Sequence, residues 1–533
     1  MLKRILNKKS HTITGAAIVI GAASFVSKAI ALARDRIFAH YFGAGDVMDA
    51  YYAAFKIPDL VYTLLIVGAL SAGFIPVFVE LMHKDEKEAW KVTNTIINVL
   101  GTLLIIISGT LIIFTPQLLH FLVPGFEGEK FQLTVMLSRI MFISPILLGI
   151  SSIVSGVLQS FKAFLIYSLS PIMYNLGIII GALFLVPIFG YKGLAFGVIL
   201  GALFHLLIQI PSFIQHGFKY QAVFSLKNKS VRKIFRLMLP RTLGMATSQI
   251  NFLAITIIAS TLASGSLSIF NFANNIQSVP ISIIGISFAI AIFPALSQLA
   301  AAGENKKIVK HISETTKQIF FLVIPLTVII IMLRAQIVRI VLGTGEFDWE
   351  ATKLTFNALG IFAFSLFAQS IIPVFARSFY ALQDTVTPLI TSIISTIINV
   401  IVAVYLSRSY GILGLIMAYS FSQIFQFVLL WILLHNKLGN LEEKKVFISI
   451  LKITISAIIM LIFIQTFKYL ISLVVDMDKF WGILLQLSVS SIVGLLIYGF
   501  VCNQLKLKEM LLFAESFKKR WLKLRNVQTD ITQ

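Results

Sequence analysis

Apolar runs of about twenty residues follow one another along almost the whole chain, separated by short polar segments. A bilayer core needs roughly 20 apolar residues per helix, so the chain reads as about fourteen transmembrane helices. The first two lie near 12–37 and 47–79. Of the 533 residues, 58% are hydrophobic and 13% charged, against about 25% charged in an ordinary soluble domain. So little charge cannot cover a water-soluble chain of this size. Composition therefore excludes a cytosolic enzyme, a disordered scaffold and a secreted disulfide protein. The single cysteine, Cys502, has no partner within the chain.

Lys and Arg number 44 against 23 Asp and Glu, a formal net charge of +21. In a soluble protein this excess would suggest nucleic acid. Here the cations sit in alternate loops, as in Lys84, Lys87 and Lys91, then Lys227, Lys229, Arg232 and Lys233, then Lys437, Lys444 and Lys445. That is the positive-inside pattern, and it predicts no nucleic-acid partner. An even number of spans then puts both termini in the cytoplasm of a multi-pass cell-membrane protein. The first apolar run follows a basic start, as a signal peptide does. Lys28, Arg34, Asp35 and Arg36 follow without a typical cleavage site, so the run is expected to stay as a helix. At the other end Leu507, Met510, Ala514, Phe517, Trp521 and Leu524 form one apolar stripe among basic residues. This predicts an amphipathic cytoplasmic tail over 504–533, lying on the membrane surface, with a solvated charged tail as the alternative.

Two sequence patterns recur about 220 residues apart. Phe74-Ile75-Pro76 is echoed by Ile292-Phe293-Pro294, and Gly190-Tyr191-Lys192-Gly193-Leu194 by Gly411-Ile412-Leu413-Gly414-Leu415. The interval is six spans, so the two halves share one orientation. Parallel repeats of this kind build transporters around a central cavity. The predicted fold is thus all-α and polytopic, with an N-terminal six-helix lobe (1–220), a C-terminal six-helix lobe (221–440) and two additional helices (441–503).

Walker loops, GxSxG elbows and HExxH motifs are all missing from the sequence, so neither catalysis nor a cofactor or metal is expected. The informative residues are charges within the first two spans and their connection: Lys28, Arg34, Asp35, Arg36, Asp46, Asp49, Lys56 and Asp59. A charge at a helix centre costs a few kcal/mol, so such groups face a wet cavity and pair with each other or with ligand. Lys28 and Arg34, six residues apart, lie about 600° around a straight helix and do not share a stripe. Gly43 and Gly45 suggest a turn, and Pro58 and Gly68 a bend in the second span. The competing reading is that Arg36 and Asp46 snorkel at an interface and that Asp49 and Asp59 only neutralise nearby cations. In the second half the polar candidates are Arg241, Asn274, Asn275 and Arg377, the last placed in a cytoplasmic loop with Gln383 and Asp384. Interhelical hydrogen bonding is the alternative for the asparagines. Cations gathered in one cavity imply an anionic ligand, and phosphate or pyrophosphate suits Arg and Lys.

The blocks Ser27-Lys28-Ala29-Ile30-Ala31-Leu32-Ala33-Arg34-Asp35, Phe42-Gly43-Ala44-Gly45, Asp49-Ala50-Tyr51-Tyr52-Ala53-Ala54-Phe55-Lys56-Ile57-Pro58-Asp59-Leu60 and Gly68-Ala69-Leu70-Ser71 resemble the MurJ/MviN lipid II flippases. So do Ser248-Gln249-Ile250, Ala376-Arg377-Ser378-Phe379-Tyr380-Ala381 and Gln383-Asp384-Thr385. The resemblance implies fourteen helices and movement of a lipid-linked peptidoglycan precursor from the cytoplasmic to the outer leaflet by alternating access. It implies that Lys28, Arg34, Asp49 and Lys56 bind or gate the charged head, while the polyprenyl tail lies along a groove near the last two helices. The implied partners are this lipid-linked anionic substrate, membrane lipids and the cell-wall synthesis machinery, around a monomeric carrier. The sequence departs from the family pattern at Tyr62 and Thr63, where the family has a basic pair, at Val67 in place of an acid, and at Asn275 in place of an arginine. Some members bind sodium through carboxylates in the seventh and eleventh spans, and this chain has none there. The other readings weighed are a flippase for another lipid-linked sugar, a drug or cation antiporter, and a membrane scaffold that transports nothing.

Overall fold

The structure, a computed structural model, describes residues 13–67 and 73–511. Gly68 and the tail beyond Leu511 lie outside the described residues, and so does the side chain of Arg241. The regular structure among the described residues is helical throughout. Hydrocarbon offers no partner to a bare N–H or C=O, and a helix satisfies both within its own segment. Nine of the described helices are long and apolar enough to cross a membrane. A tenth span arises if Trp349–Phe364 and Leu366–Ala381, bent by 46°, count as one. The Val386–Leu438 helix has 53 residues, about 80 Å of chain and more than twice a bilayer core. It is two helices joined without a loop at Gly411, whose φ of 55° and ψ of −135° are not helical.

Contacts group the chain into two compact units. The first holds the chain up to Phe272 together with Val341–Ala351 and Asn399–Leu415; the second holds Ala273–Ile340, Thr352–Ile398 and the chain from Ile416 onward.

In the first unit the repeat read from the sequence has a structural counterpart. Gly190 and Gly411 both carry a positive φ, at 60° and 55°. Three residues later, Gly193 and Gly414 each press against the backbone at the end of the preceding helix, Leu185 and Val186 in one case and Leu406 and Ser407 in the other. A side chain at either position would collide with main chain that cannot give way. Gly177 and Gly181 likewise meet Gly201 and Gly197, so the helices Phe164–Ile180 and Lys192–Leu207 pack through small residues at four-residue spacing.

The second predicted span is not one helix. Asp46–Tyr62 continues through Pro58 and passes into a π-helical turn, Thr63–Val67, before the Ile75–Lys84 helix begins. A similar π-helical segment, Ile281–Ile286, follows Pro280 in the second half. The proline removes a donor from the i→i−4 ladder, and a wider turn follows in each case.

Arg377 corrects its expected position. The Leu366–Ala381 helix runs through Pro373 and past Arg377, and the turn starts only at Leu382. Gln383 supplies the reversal with a φ of 59°, and Asp384 caps the next helix by accepting from the Thr387 amide and hydroxyl.

Candidate functional site

The charged residues of the first two spans all fall in the first unit, on the helices Ile13–Phe42 and Asp46–Tyr62. Arg34 donates from Nε and one terminal nitrogen to Asp35 Oδ1, at 3.0 and 2.7 Å. Its other terminal nitrogen donates to Asn175 Oδ1 at 3.1 Å. The Arg34 side chain keeps 18% of its exposure, whereas Asp35 keeps 1%. Lys28 is half-buried and within electrostatic reach of both Arg34 and Asp35. The helix explains this grouping: seven residues are nearly two full turns, so Lys28 and Asp35 share a stripe and Arg34 folds back onto it.

Lys56, one helix on, points its ammonium at Asn271 Oδ1, 3.5 Å away, and lies over the ring of Phe252. Asp59 lies in its field and accepts a hydrogen bond from Gln249. Tyr174 lies within electrostatic reach of Arg34 and Asp59 and of Tyr51 and Tyr62. The Tyr52 and Tyr174 hydroxyls are both buried without a hydrogen-bond partner. The departure from the family pattern at Tyr62 has a local use, since its hydroxyl bonds Ser152 at 2.9 Å. Two successive helices of the first unit thus carry three cations and two carboxylates among tyrosines, a chemistry suited to exchanging a protein carboxylate for a phosphate oxygen.

Asp49 has a different occupation. It is 2% exposed, and four donors fill its two oxygens. Oδ1 accepts from the Ser268 amide and hydroxyl, and Oδ2 from the Gly265 amide and Lys130. The carboxylate thus caps the start of the Ser266–Pro280 helix, where unpaired amides favour an anion. Lys130 also holds Asp46 at 2.7 Å, and Asp46 accepts from Ser264. Around this latch the loops are tight. Gly43, at φ +62°, stands where a side chain would reach within 2.6 Å of the Glu346 carbonyl. Gly265 and Gly345, also at positive φ, press on the Ala44 and His40 carbonyls. Gly45 carries no such demand: its φ is −145°, and open space surrounds the position a side chain would take.

Asn274, Asn275 and Arg377 belong to the second unit. There Gln277 donates to Asn274 at 3.0 Å and Gln369 donates to Gln277 at 3.1 Å. Arg377 is half-buried near the end of its helix. In the first unit Asn399 donates to Asn251 at 2.7 Å, so two neutral amides face each other in the seventh and eleventh expected spans. Sequence reasoning missed Lys130 as the partner of Asp49, and also Tyr174 and Asn175. Neutral polar residues in an apolar run give no signal of their own.

Comparison with known proteins gives this arrangement a context. The family model described as "Lipid II flippase MurJ" matches residues 38–485. A probable lipid II flippase MurJ of Buchnera aphidicola (subsp. Schizaphis graminum) is 28% identical over 91% of this chain and 96% of its own length. That of Vibrio cholerae is 28% identical over 78% of this chain and 82% of its own. Among solved structures, a lipid II flippase MurJ in an inward closed conformation has a TM-score of 0.75 at 24% identity, covering 92% of this chain and 99% of that one. An inward-facing multidrug resistance MATE family transporter follows at 0.66 and 16% identity, covering 80% and 99%. Both structural likenesses speak for the fold, and the family match extends over most of the chain. The chain belongs to the MurJ family of lipid II flippases.

Proposed function

We propose that this chain flips lipid II, the lipid-linked peptidoglycan precursor, from the cytoplasmic to the outer leaflet of the cell membrane by alternating access. The observation that carries the reading is the Lys28–Arg34–Asp35 group, with Asp35 buried and its two cations half-buried, and with Lys56 and Asp59 on the next helix of the same unit. Arg34 is held by Asp35 and Asn175, and a phosphate of the pyrophosphate takes over part of that fork. Lys28 and Lys56 supply further positive charge to the head. Their interactions need positioning and no bond making, so the chain acts as a carrier and not an enzyme. From the sequence, Arg241, Asn274, Asn275 and Arg377 are further polar candidates for the sugar and peptide.

The apolar tail needs a separate path. In the second unit a cavity of about 490 Å³ is lined by Phe320, Phe367, Phe427, Trp431 and Phe447, with Glu443 the one charged residue in its wall among the described residues, and a polyprenyl chain fits its apolar part. The loop charges orient both termini to the cytoplasm. The repeat supports lobes of 1–220 and 221–440, with 441–503 appended. The carrier works as a monomer beside the cell-wall synthesis machinery.

The test is complementation. Arg34→Ala should abolish growth of flippase-depleted cells while membrane abundance stays normal; full complementation by that variant rejects the site. Exposure of lipid II on the outer leaflet, in cells depending on this protein alone, separates lipid II from another lipid-linked sugar.

A further inference from the structure

The second unit carries cations at an unexpected place. The loop charges predict that the end of the Asn305–Val341 helix faces outward, where the positive-inside rule leaves few basic residues. Yet Arg334 lies seven residues before that end and Lys468 six before the end of the Glu443–Val474 helix. Each is sunk about 10 Å below its helix terminus.

Their geometry begins with a kink. Leu333 has φ −113° and ψ 17°, which breaks the helix. The break frees carbonyls, and two cations meet them. Arg334 donates to the Ile331 carbonyl at 2.8 Å, and Lys468 reaches across to the Met332 carbonyl at 3.1 Å. Gln336 donates to Gln486 at 2.8 Å and Gln486 to the Lys468 carbonyl at 2.6 Å, which fixes the three helices at this depth. Arg334 is further held over the Phe356 ring, against Gly360.

A carbonyl satisfies a donor without neutralising its charge. Arg334 and Lys468 lie close enough to repel each other, and among the described residues neither has a carboxylate partner. Asp476, in the loop after the Glu443–Val474 helix, is engaged by Lys479. The Asn305–Val341 helix has one carboxylate, Glu314, and the Glu443–Val474 helix has one, Glu443. Both lie at the opposite end of their helix, some 30 Å or more from this layer. Snorkelling would carry the Lys468 ammonium outward to water, but it turns inward to Met332. On the same helix Tyr469 and Leu473 are 61% and 66% exposed, and Trp481 at the start of the next helix is 75% exposed, apolar surface with an interfacial aromatic.

We infer that Arg334 and Lys468 form a binding site for the phosphate of an anionic membrane phospholipid, whose acyl chains lie along the Tyr469–Leu473 face. Charge complementarity selects the head, and the exposed apolar face selects a lipid over a free anion. Arg334 keeps four of its five N–H donors for the phosphate and Lys468 two of its three.

Native mass spectrometry of the purified full-length chain, titrated with phosphatidylglycerol or phosphatidylcholine, tests this. The wild type should retain phosphatidylglycerol preferentially, and R334Q/K468Q should bind its tightest copy roughly thirtyfold more weakly. R334K/K468R should restore retention, and R34A should leave it unchanged. Equal retention of the two lipids, an unaffected double glutamine variant, or displacement by millimolar inorganic phosphate overturns the proposal. Displacement by lipid II at equal concentration would assign the layer to the transported substrate and overturn it as well. If R334Q/K468Q fails to fold, a photo-crosslinker at Leu473 in the otherwise unaltered chain decides: capture of phosphatidylglycerol over phosphatidylcholine supports the site, and indifference rejects it.

Discussion

Replacing Asp49 by Asn tests what the buried carboxylate does. The substitution keeps the volume and removes the charge. In the native chain Oδ1 accepts from the Ser268 amide at 2.8 Å and its hydroxyl at 2.7 Å. Oδ2 accepts from the Gly265 amide at 2.8 Å and Lys130 at 2.9 Å. Asparagine offers one oxygen and one NH2 group. Whichever way the amide turns, its NH2 faces two donors, one of them a buried main-chain N–H. Removing one partner of a buried ion pair costs about 3–5 kcal/mol. Asp46 still holds Lys130, but with 59% of its side chain exposed, so the lower end of that range is expected. The assay is the temperature at which the detergent-purified chain loses monodispersity, a kinetic measure of stability. D49N should lose it well below the wild type, and K130M should cost much less in the D49N background than alone. That non-additivity identifies a shared contact. Wild-type stability of D49N with loss of lipid II binding would refute the latch and return Asp49 to the ligand.

Other outcomes follow from the same geometry. Gly265→Ala should destabilise by more than the ordinary 1–2 kcal/mol for a side chain in the left-handed region, because the added carbon also meets the Ala44 carbonyl; thermal stability of the variant reads this. Asp384→Ala should loosen the start of the Val386–Leu438 helix, a cap worth about 1 kcal/mol, seen as faster amide exchange there. Burial pushes the Asp384 carboxyl up, but Lys437 and the two Thr387 donors outweigh it and hold it below its ordinary value. A depressed carboxylate contributes its stability above the ordinary value and loses it only as pH falls through the lowered one. The protection factor at this helix start, which takes out the intrinsic pH dependence of exchange, should therefore be flat from pH 7 down to about 4 in the wild type, and a fall in protection within that range would contradict the pairing.

Much of the fold was legible because a bilayer permits so few solutions. Twenty-residue apolar runs specify helices almost regardless of which apolar residues they contain. The glycines of the repeat were legible for a related reason, since Gly193 and Gly414 sit where only a hydrogen atom fits. Lys28, Arg34 and Lys56 stood out because charge is rare in such runs. Their partners did not. Asn175 is 141 residues from Arg34 and Lys130 is 81 from Asp49, and no local pattern marks either pair. Arg377 was misplaced into a loop because Gln383, Asp384 and Thr385 are turn-forming residues, whereas the helix keeps its ladder four residues past Arg377 before Gln383 reverses the chain.

The ionic contacts of the first unit are of two kinds, and alternating access must treat them differently. Asp35 neighbours Arg34 on one helix, so their pairing travels with that helix and survives any rigid-body movement of it. Asp49 depends on Lys130, Gly265 and Ser268, which lie on other segments. Opening at this end must therefore part Asp49 from donors on those segments, while the Arg34–Asp35 pair stays assembled. Strengthening the two kinds should have opposite signatures. A disulfide between cysteines at Asp46 and Ser264, whose native side chains lie 2.6 Å apart, should arrest lipid II exposure and leave lipid II binding from the cytoplasmic side intact, with reductant restoring transport. Arg34→Ala should remove binding itself, with or without reductant. Continued flipping by the oxidised disulfide variant would show that this end does not need to part, and the latch would then be a fixed brace.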